Sequence, residues 1–159
     1  MKVAADGDML TKEVQRLQKY AHLPVVPLHS DINTVSSGAY FLMTPGTPLT
    51  REYVSGQPSV LEKILDALGQ LHSHGVVHGD ARVVNAIMLK SGACVWVDFY
   101  ETESSTDQGK AEDIMTLCGS LGISAADWNA PAKLEDTKFK QWVAENITSS
   151  DSAKRRRTR

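Results

Sequence analysis

The chain has 159 residues, of which 42% are hydrophobic and 23% charged, and a net charge of −2. Those values suit one globular domain or part of a larger one, and six Pro and eleven Gly argue against long disordered tracts. The near-neutral charge argues against a nucleic-acid partner, which would call for a basic face.

In chain order, "MKVAA" is a short strand-like start and "DGD" a turn. "LTKEVQRLQKY" places Leu10, Val14, Leu17 and Tyr20 three or four residues apart, which predicts one helical face with Thr11 as its cap. "LPVVPLHSDI" is extended, because Pro24 and Pro27 bar a helix. "AYFLMTP" reads as a buried strand ending at Pro45, and "PLTREYVSG" as one or two helical turns. "PSVLEKILDALGQLHSHG" is the strongest helix. Pro58 suits its first turn, Val60, Leu61, Ile64, Leu65, Leu68 and Leu71 form an apolar stripe, and Gly75 stops it. "AIMLKSGACVWVDFY" reads strand, turn, strand. "ETESSTDQGK" is a polar loop, "AEDIMTLCGSLG" a helix, and "KFKQWVAENI" a weaker amphipathic one. Residues 148–159 read as a disordered, finally basic tail after a single domain over 1–147. The order is α+β.

Cys94 and Cys118 lack CxxC spacing and sit in apolar stretches, which reads as buried, reduced thiols of an intracellular protein. No apolar run approaches the roughly 20 residues that cross a bilayer, so no membrane partner is expected. The last six residues, "KRRRTR", carry five basic side chains. They are either a solvated tail or a nuclear-import or polyanion-binding patch, so a nuclear location stands beside a cytoplasmic one.

The polar groups concentrate in "LHSHGVVHGDARVVNAIM", from Leu71 to Met88. One reading is a metal site on His72, His74 and His78. A spacing of two points His72 and His74 to different faces of a helix. Val76 and Val77 stand where a metallo-hydrolase pattern wants an aspartate and a histidine. The simpler expectation for His72 and His74 is two solvated residues near a helix end.

The other reading takes His78, Asp80 and Asn85 as H-x-D-x-x-x-x-N, with Asp98 thirteen residues after Asn85 and followed by Phe99. Here the chain resembles the protein-kinase-like superfamily. "HGDARVVN" stands for the catalytic-loop pattern and "DFY" for "DFG". The predicted strand–turn–strand between Asn85 and Asp98 and the helix upstream are where that family has them. The resemblance implies a kinase-like fold: an incomplete small N-lobe sheet over 1–45 and a reduced, mainly helical C-lobe over 46–147.

It also implies a chemistry. Mg²⁺ must bridge the oxygens of a phosphoryl group, and a hard cation wants oxygen ligands, so Asn85 and Asp98 would hold the metal. Asp80 would meet the acceptor hydroxyl. Arg82 would steady the transferring phosphate, and His78 would hold the loop's backbone. Lys2 and Glu13 would form the nucleotide clamp. "YFLMTPG" resembles the hinge that takes adenine through backbone groups near Leu42, Met43 and Thr44, although Met43 serves equally well as core. Asp113 resembles the aspartate that hydrogen-bonds back to the catalytic loop; it is equally a helix N-terminal acid favoured by the dipole. The implied cofactors are ATP and Mg²⁺, and the implied acceptor is a protein or small-molecule hydroxyl. "HGD", with Gly79 for arginine, looks more like the small-molecule phosphotransferases.

The pattern also breaks. The resemblance runs from Lys2 to Leu121, with no glycine-rich G-x-G-x-x-G and with Tyr100 in place of the motif glycine. Fourteen residues between Asp98 and Asp113 leave no room for a protein-kinase activation segment. A chain truncated from a longer kinase-like protein explains this economically. Two functions follow: a phosphotransferase moving the ATP γ-phosphoryl to a hydroxyl, or an inactive pseudokinase acting as a binding or scaffold module.

Overall fold

Two small antiparallel sheets stand one after the other in the chain, with helices packed against them. In the computed structural model the described residues are 2–4, 7–35, 38–99, 106–124, 134 and 137–157. The class is mixed α+β.

The first sheet holds β1 (Lys2–Ala4), β2 (Asn33–Val35) and β3 (Gly38–Phe41) in the order β1-β3-β2, with Lys2 opposite Phe41 and Thr34 opposite Ala39. Helix α1 (Gly7–Lys19) packs on β1 and β3 and buries Leu10, Val14 and Leu17 in one core with Phe41. The helix starts four residues before Thr11, which is therefore interior rather than a cap.

The second sheet holds β4 (Gly46–Pro48), β5 (Ala86–Leu89) and β6 (Cys94–Trp96), in that order. Gly46 lies opposite Leu89, and a Cβ there would come within 2.2 Å of Ile87 Cγ2 and 2.9 Å of the Met88 carbonyl oxygen. Only glycine lets β4 approach so closely. The proline-broken segment after α1 joins the two sheets. Val26 donates to the Trp96 carbonyl at 3.1 Å and Trp96 to that of Pro24 at 2.9 Å, while Leu28 lies opposite Met43.

Helix α2 (Arg51–Ser55) is capped by the Thr50 hydroxyl, which accepts from Tyr53 N. Helix α3 (Pro58–Ser73) packs on β6, and every residue of the predicted stripe is buried. It ends in two reversed bonds: Val76 N to the Leu71 carbonyl at 2.9 Å and Gly75 N to that of His72 at 3.1 Å. Gly75 supplies the left-handed φ of +74° that this ending needs.

Helix α4 (Asp107–Ser120) begins four residues before the predicted helix, inside the supposed polar loop. The Thr106 hydroxyl accepts from Gly109 N at 3.0 Å, and this cap starts the helix. Helix α5 (Thr137–Arg157) packs Phe139, Val143 and Ile147 into the core and contacts α2 and α3, with Lys140 bonded to Asp66. It runs through most of the segment expected to be a disordered tail, since 148–157 are helical. That segment contains no Pro or Gly to break the helix.

Cys94 and Cys118 are buried free thiols, pushed up by burial to about 12 and about 11 respectively. At neutral pH neither is a nucleophile. No described helix is long and apolar enough to cross a membrane.

The helical end of α5 is testable. Removing residues 148–159 is expected to take the far-ultraviolet helix signal of ten residues, 148–157, with it. A spectrum that loses only coil would restore the disordered tail.

Candidate functional site

The loop from Val76 to Asn85 connects α3 to a single 3₁₀ turn (Val83–Asn85) that leads into β5. A connection this short and polar must satisfy its backbone groups with side chains. Asp113 does most of that. Buried on α4, its Oδ2 accepts from His78 N at 2.7 Å and from His72 Nε2 at 2.9 Å, and its Oδ1 from Gly79 N at 2.9 Å. Asp113 is the seventh residue of α4, so the alternative of an acid placed at the helix start does not describe it.

His78 is fully buried, in ring contact with Trp96 and Phe99. Its Nε2 lies 2.9 Å from the Val97 carbonyl, and Asp80 N lies 3.2 Å from its Nδ1. A carbonyl can only accept and an amide N–H can only donate, so the proton sits on Nε2. Burial pushes the imidazole below its usual range, against the opposing pull of Asp113, the Val97 bond, Asp80 and Asp98. His78 is therefore a neutral brace for the loop, and neither ring nitrogen is open to a substrate.

Asp80 is held from two sides. Arg82 Nε donates to Oδ1 at 2.7 Å and Nη2 to Oδ2 at 2.6 Å. Asn85 Nδ2 donates to Oδ2 and to the Asp80 backbone carbonyl, both at 2.9 Å. The Arg82 bonds, opposed by some burial and helped by Asn85, keep the Asp80 carboxyl below the usual aspartate range. Asn85 spends its amide hydrogens on Asp80, which leaves Oδ1 as its remaining side-chain acceptor.

Asp98 follows directly. Val97 N donates to the Asn85 carbonyl at 2.9 Å, so the residue before Asp98 is tied to the end of the loop. The Asp98 carboxylate lies close enough to bind the proton more firmly on His78 and, after the larger effect of Asp80, on Arg82. Its φ is +59°, the single non-glycine residue in the left-handed region among those described. That backbone costs an L-residue about 1–2 kcal/mol, and such strain gathers where a side chain must be aimed.

The remaining candidates spread more widely. Glu13 is buried on α1, and Lys2 lies in the adjoining β1, but the Lys2 side chain, and so any Lys2–Glu13 pair, is outside the described residues. Tyr100 is also outside them. Leu42, Met43 and Thr44 are not equivalent. Leu42 donates to Ser30 Oγ and accepts from His29 N, and Thr44 N donates to the Pro27 carbonyl. Leu28 and Met43 are the non-bonded pair between these bridges, so the N–H and C=O of Met43 face the other edge.

Three contacts were not foreseen. His72 is buried, not solvated; it continues the α3 stripe of Leu61, Leu65 and Leu68, and that spacing was the available signal. Arg16 Nη1 donates to the Phe99 carbonyl at 3.1 Å, which ties α1 to the segment carrying Asp98. Ser120 Oγ accepts from Val83 N at 2.9 Å and fixes the 3₁₀ turn to α4. The three histidines go separate ways: His74 is exposed and bonds Gln70 and Ser73. Among the described residues no three His, Cys, Asp or Glu side chains gather as a metal group.

A shallow cleft of about 250 Å³ opens elsewhere, lined by residues that include Tyr53, Met88 and Lys90 and not by Asp80, Asn85 or Asp98. No protein-family model matches the chain, and no curated protein sequence matches it significantly.

Two variants probe this geometry. Asp113→Ala strands the His78 and Gly79 amides and His72, and is expected to lower stability by about 3–5 kcal/mol in urea unfolding. Arg82→Gln should raise the Asp80 titration, followed by carboxyl ¹³C shifts, toward the reference near 3.9. The sign follows from linkage. A depressed folded value contributes stability above the unfolded pKa, and that contribution is lost as the pH falls through the folded value. The variant should therefore lose less stability than the parent on acidification below about pH 4.

Proposed function

We propose that the chain is a phosphotransferase of the protein-kinase-like superfamily, moving the γ-phosphoryl of ATP to a hydroxyl acceptor. The observation that carries this reading is the packing of Asp80 against Asn85, with Asp98 strained into place one residue beyond the Asn85–Val97 bond. The helix-braced first sheet followed by the loop, hairpin and α4 agrees with a kinase-like order of elements.

The donor chemistry fits a magnesium-bound nucleotide. Asn85 Oδ1 and the Asp98 carboxylate would hold Mg²⁺. This ion takes one or two protein oxygens and completes its shell with phosphate oxygens and water, so no larger cluster is needed. When bound, the ion neutralises charge on the β- and γ-phosphates. The outward N–H and C=O of Met43 would receive the base, and Arg82 would meet the phosphate oxygens.

In the transfer, the acceptor oxygen bonds to the γ-phosphorus as the bond to the β,γ-bridging oxygen breaks, and ADP leaves with that electron pair. The hydroxyl proton passes to Asp80. A carboxyl held at low pKa is a weak base, so Asp80 chiefly orients the hydroxyl and takes the proton late. His78 does not take part in proton transfer; it fixes the loop from which Asp80 projects.

A second reading is a catalytically inactive binding module. It has its own support, because Arg82 occupies both Asp80 oxygens. Thermal melting with ATP and Mg²⁺ tests both readings. At a hundred times its dissociation constant a ligand adds about 2.7 kcal/mol, a rise of roughly 5–11 °C for a chain of this size. Chelation should abolish the rise, and so should Asp98→Asn, a substitution that tolerates the left-handed backbone. No rise in the parent protein would sink nucleotide binding. A rise without ADP formation above the level of Asp80→Asn would favour the binding module.

A further inference from the structure

The fork of Arg82 covers the oxygens that an acceptor hydroxyl would need. Asp80 Oδ1 faces Nε, and Oδ2 is shared between Nη2 and Asn85. The Asn85 bond is internal to the loop, whereas Arg82 approaches from the solvent side, its side chain 54% exposed against 31% for Asp80. A planar guanidinium bonded at two points masks a carboxylate edge in a way that the point charge of lysine does not.

Two facts bear on whether the mask can move. The Arg82 backbone is fixed, with its N–H on the Asp80 carbonyl and its C=O accepting from Asn85 N. The guanidinium itself has Asp80 as its hydrogen-bond partner and lies in the field of Asp98. The pair is exposed to solvent, so salt screens it and a competing oxyanion can reach the same donors. A phosphate group offers the same fork three charge-bearing oxygens, and a nucleotide at Asn85 and Asp98 would bring them within the same field.

We infer that Arg82 is a latch that closes on Asp80 in the empty protein and is drawn off by the nucleotide phosphates, so that the nucleotide must bind before the acceptor. The inference rests on the phosphotransferase reading and adds an order to it. It also explains why a carboxylate placed for catalysis is covered: the cover is the resting state, and nucleotide arrival uncovers it. Arg82 is then a positioning residue before the reaction and a phosphate contact during it.

The Arg82 Nε–H resonance reports the latch without reference to turnover. It is assigned in the ¹⁵N-labelled protein by its loss in Arg82→Lys. Without nucleotide, Asp80→Asn should shift it strongly, because Oδ1 is its partner. With saturating Mg²⁺ and a non-hydrolysable ATP analogue, the resonance should move in the parent protein and become indifferent to Asp80→Asn. Analogue binding is measured by calorimetry in the same samples of the parent protein and of Asp80→Asn. Analogue bound, with the resonance unmoved and still sensitive to Asp80→Asn, would overturn the latch alone. No analogue bound to either protein would overturn the phosphotransferase reading and the latch together.

Discussion

The Asp113 carboxylate holds the centre of the molecule together. It is buried, and it accepts hydrogen bonds from the backbone of two successive loop residues and from an imidazole on α3. Removing a carboxyl group from water is costly unless its hydrogen-bonding capacity is met. Here the compensation comes from groups that would themselves be costly to leave bare. The loop, α3 and α4 are thus fixed by one side chain, and the loop emerges with His78 turned inward and Asp80 outward. From the inner end His78 reaches the Val97 carbonyl, so the register of the β5–β6 hairpin is tied to the same anchor. The position of Asp98 follows from that tie.

The arrangement separates rigid parts from adjustable ones. His78 and Asn85 are buried and bonded to main-chain groups that cannot move without opening the core. Asp80 and Arg82 lie at the surface with a bond between side chains. Asp98 bears backbone strain that the surrounding bonds maintain. A site that must bind a highly charged ligand needs both kinds of part: fixed oxygens for a metal, and a cation free to follow phosphate.

Much of this was legible in the sequence where one pattern had one physical solution. The α3 stripe, bounded by Pro58 and Gly75, admits little besides a helix docked on a core. Two apolar runs about a Ser-Gly bend gave the β5–β6 hairpin. The spacing of His78, Asp80 and Asn85 marked the loop. What escaped depended on single contacts that only the folded chain makes. His72 looked solvated because its polarity outweighed its place on the stripe; the acid that makes burial affordable lies 41 residues on. The early start of α4 hung on a single threonine cap. The α5 extension was hidden by a composition that reads as disorder when taken alone. The Arg82 fork on Asp80 joins residues two apart, and only the bent loop brings them face to face.

The central claim is that Asp80, Asn85 and Asp98 form one site for a divalent ion and a nucleotide. Manganese substituted for magnesium, with an ATP analogue present, tests it most directly, because its unpaired electrons broaden nearby resonances. The account predicts broadening centred on the Asn85 side-chain amide and the amides of Asp80 and Asp98, with Phe139 and Val143 on α5 left sharp. Broadening centred elsewhere, or the same with Asp98→Asn as with the parent protein, would contradict it.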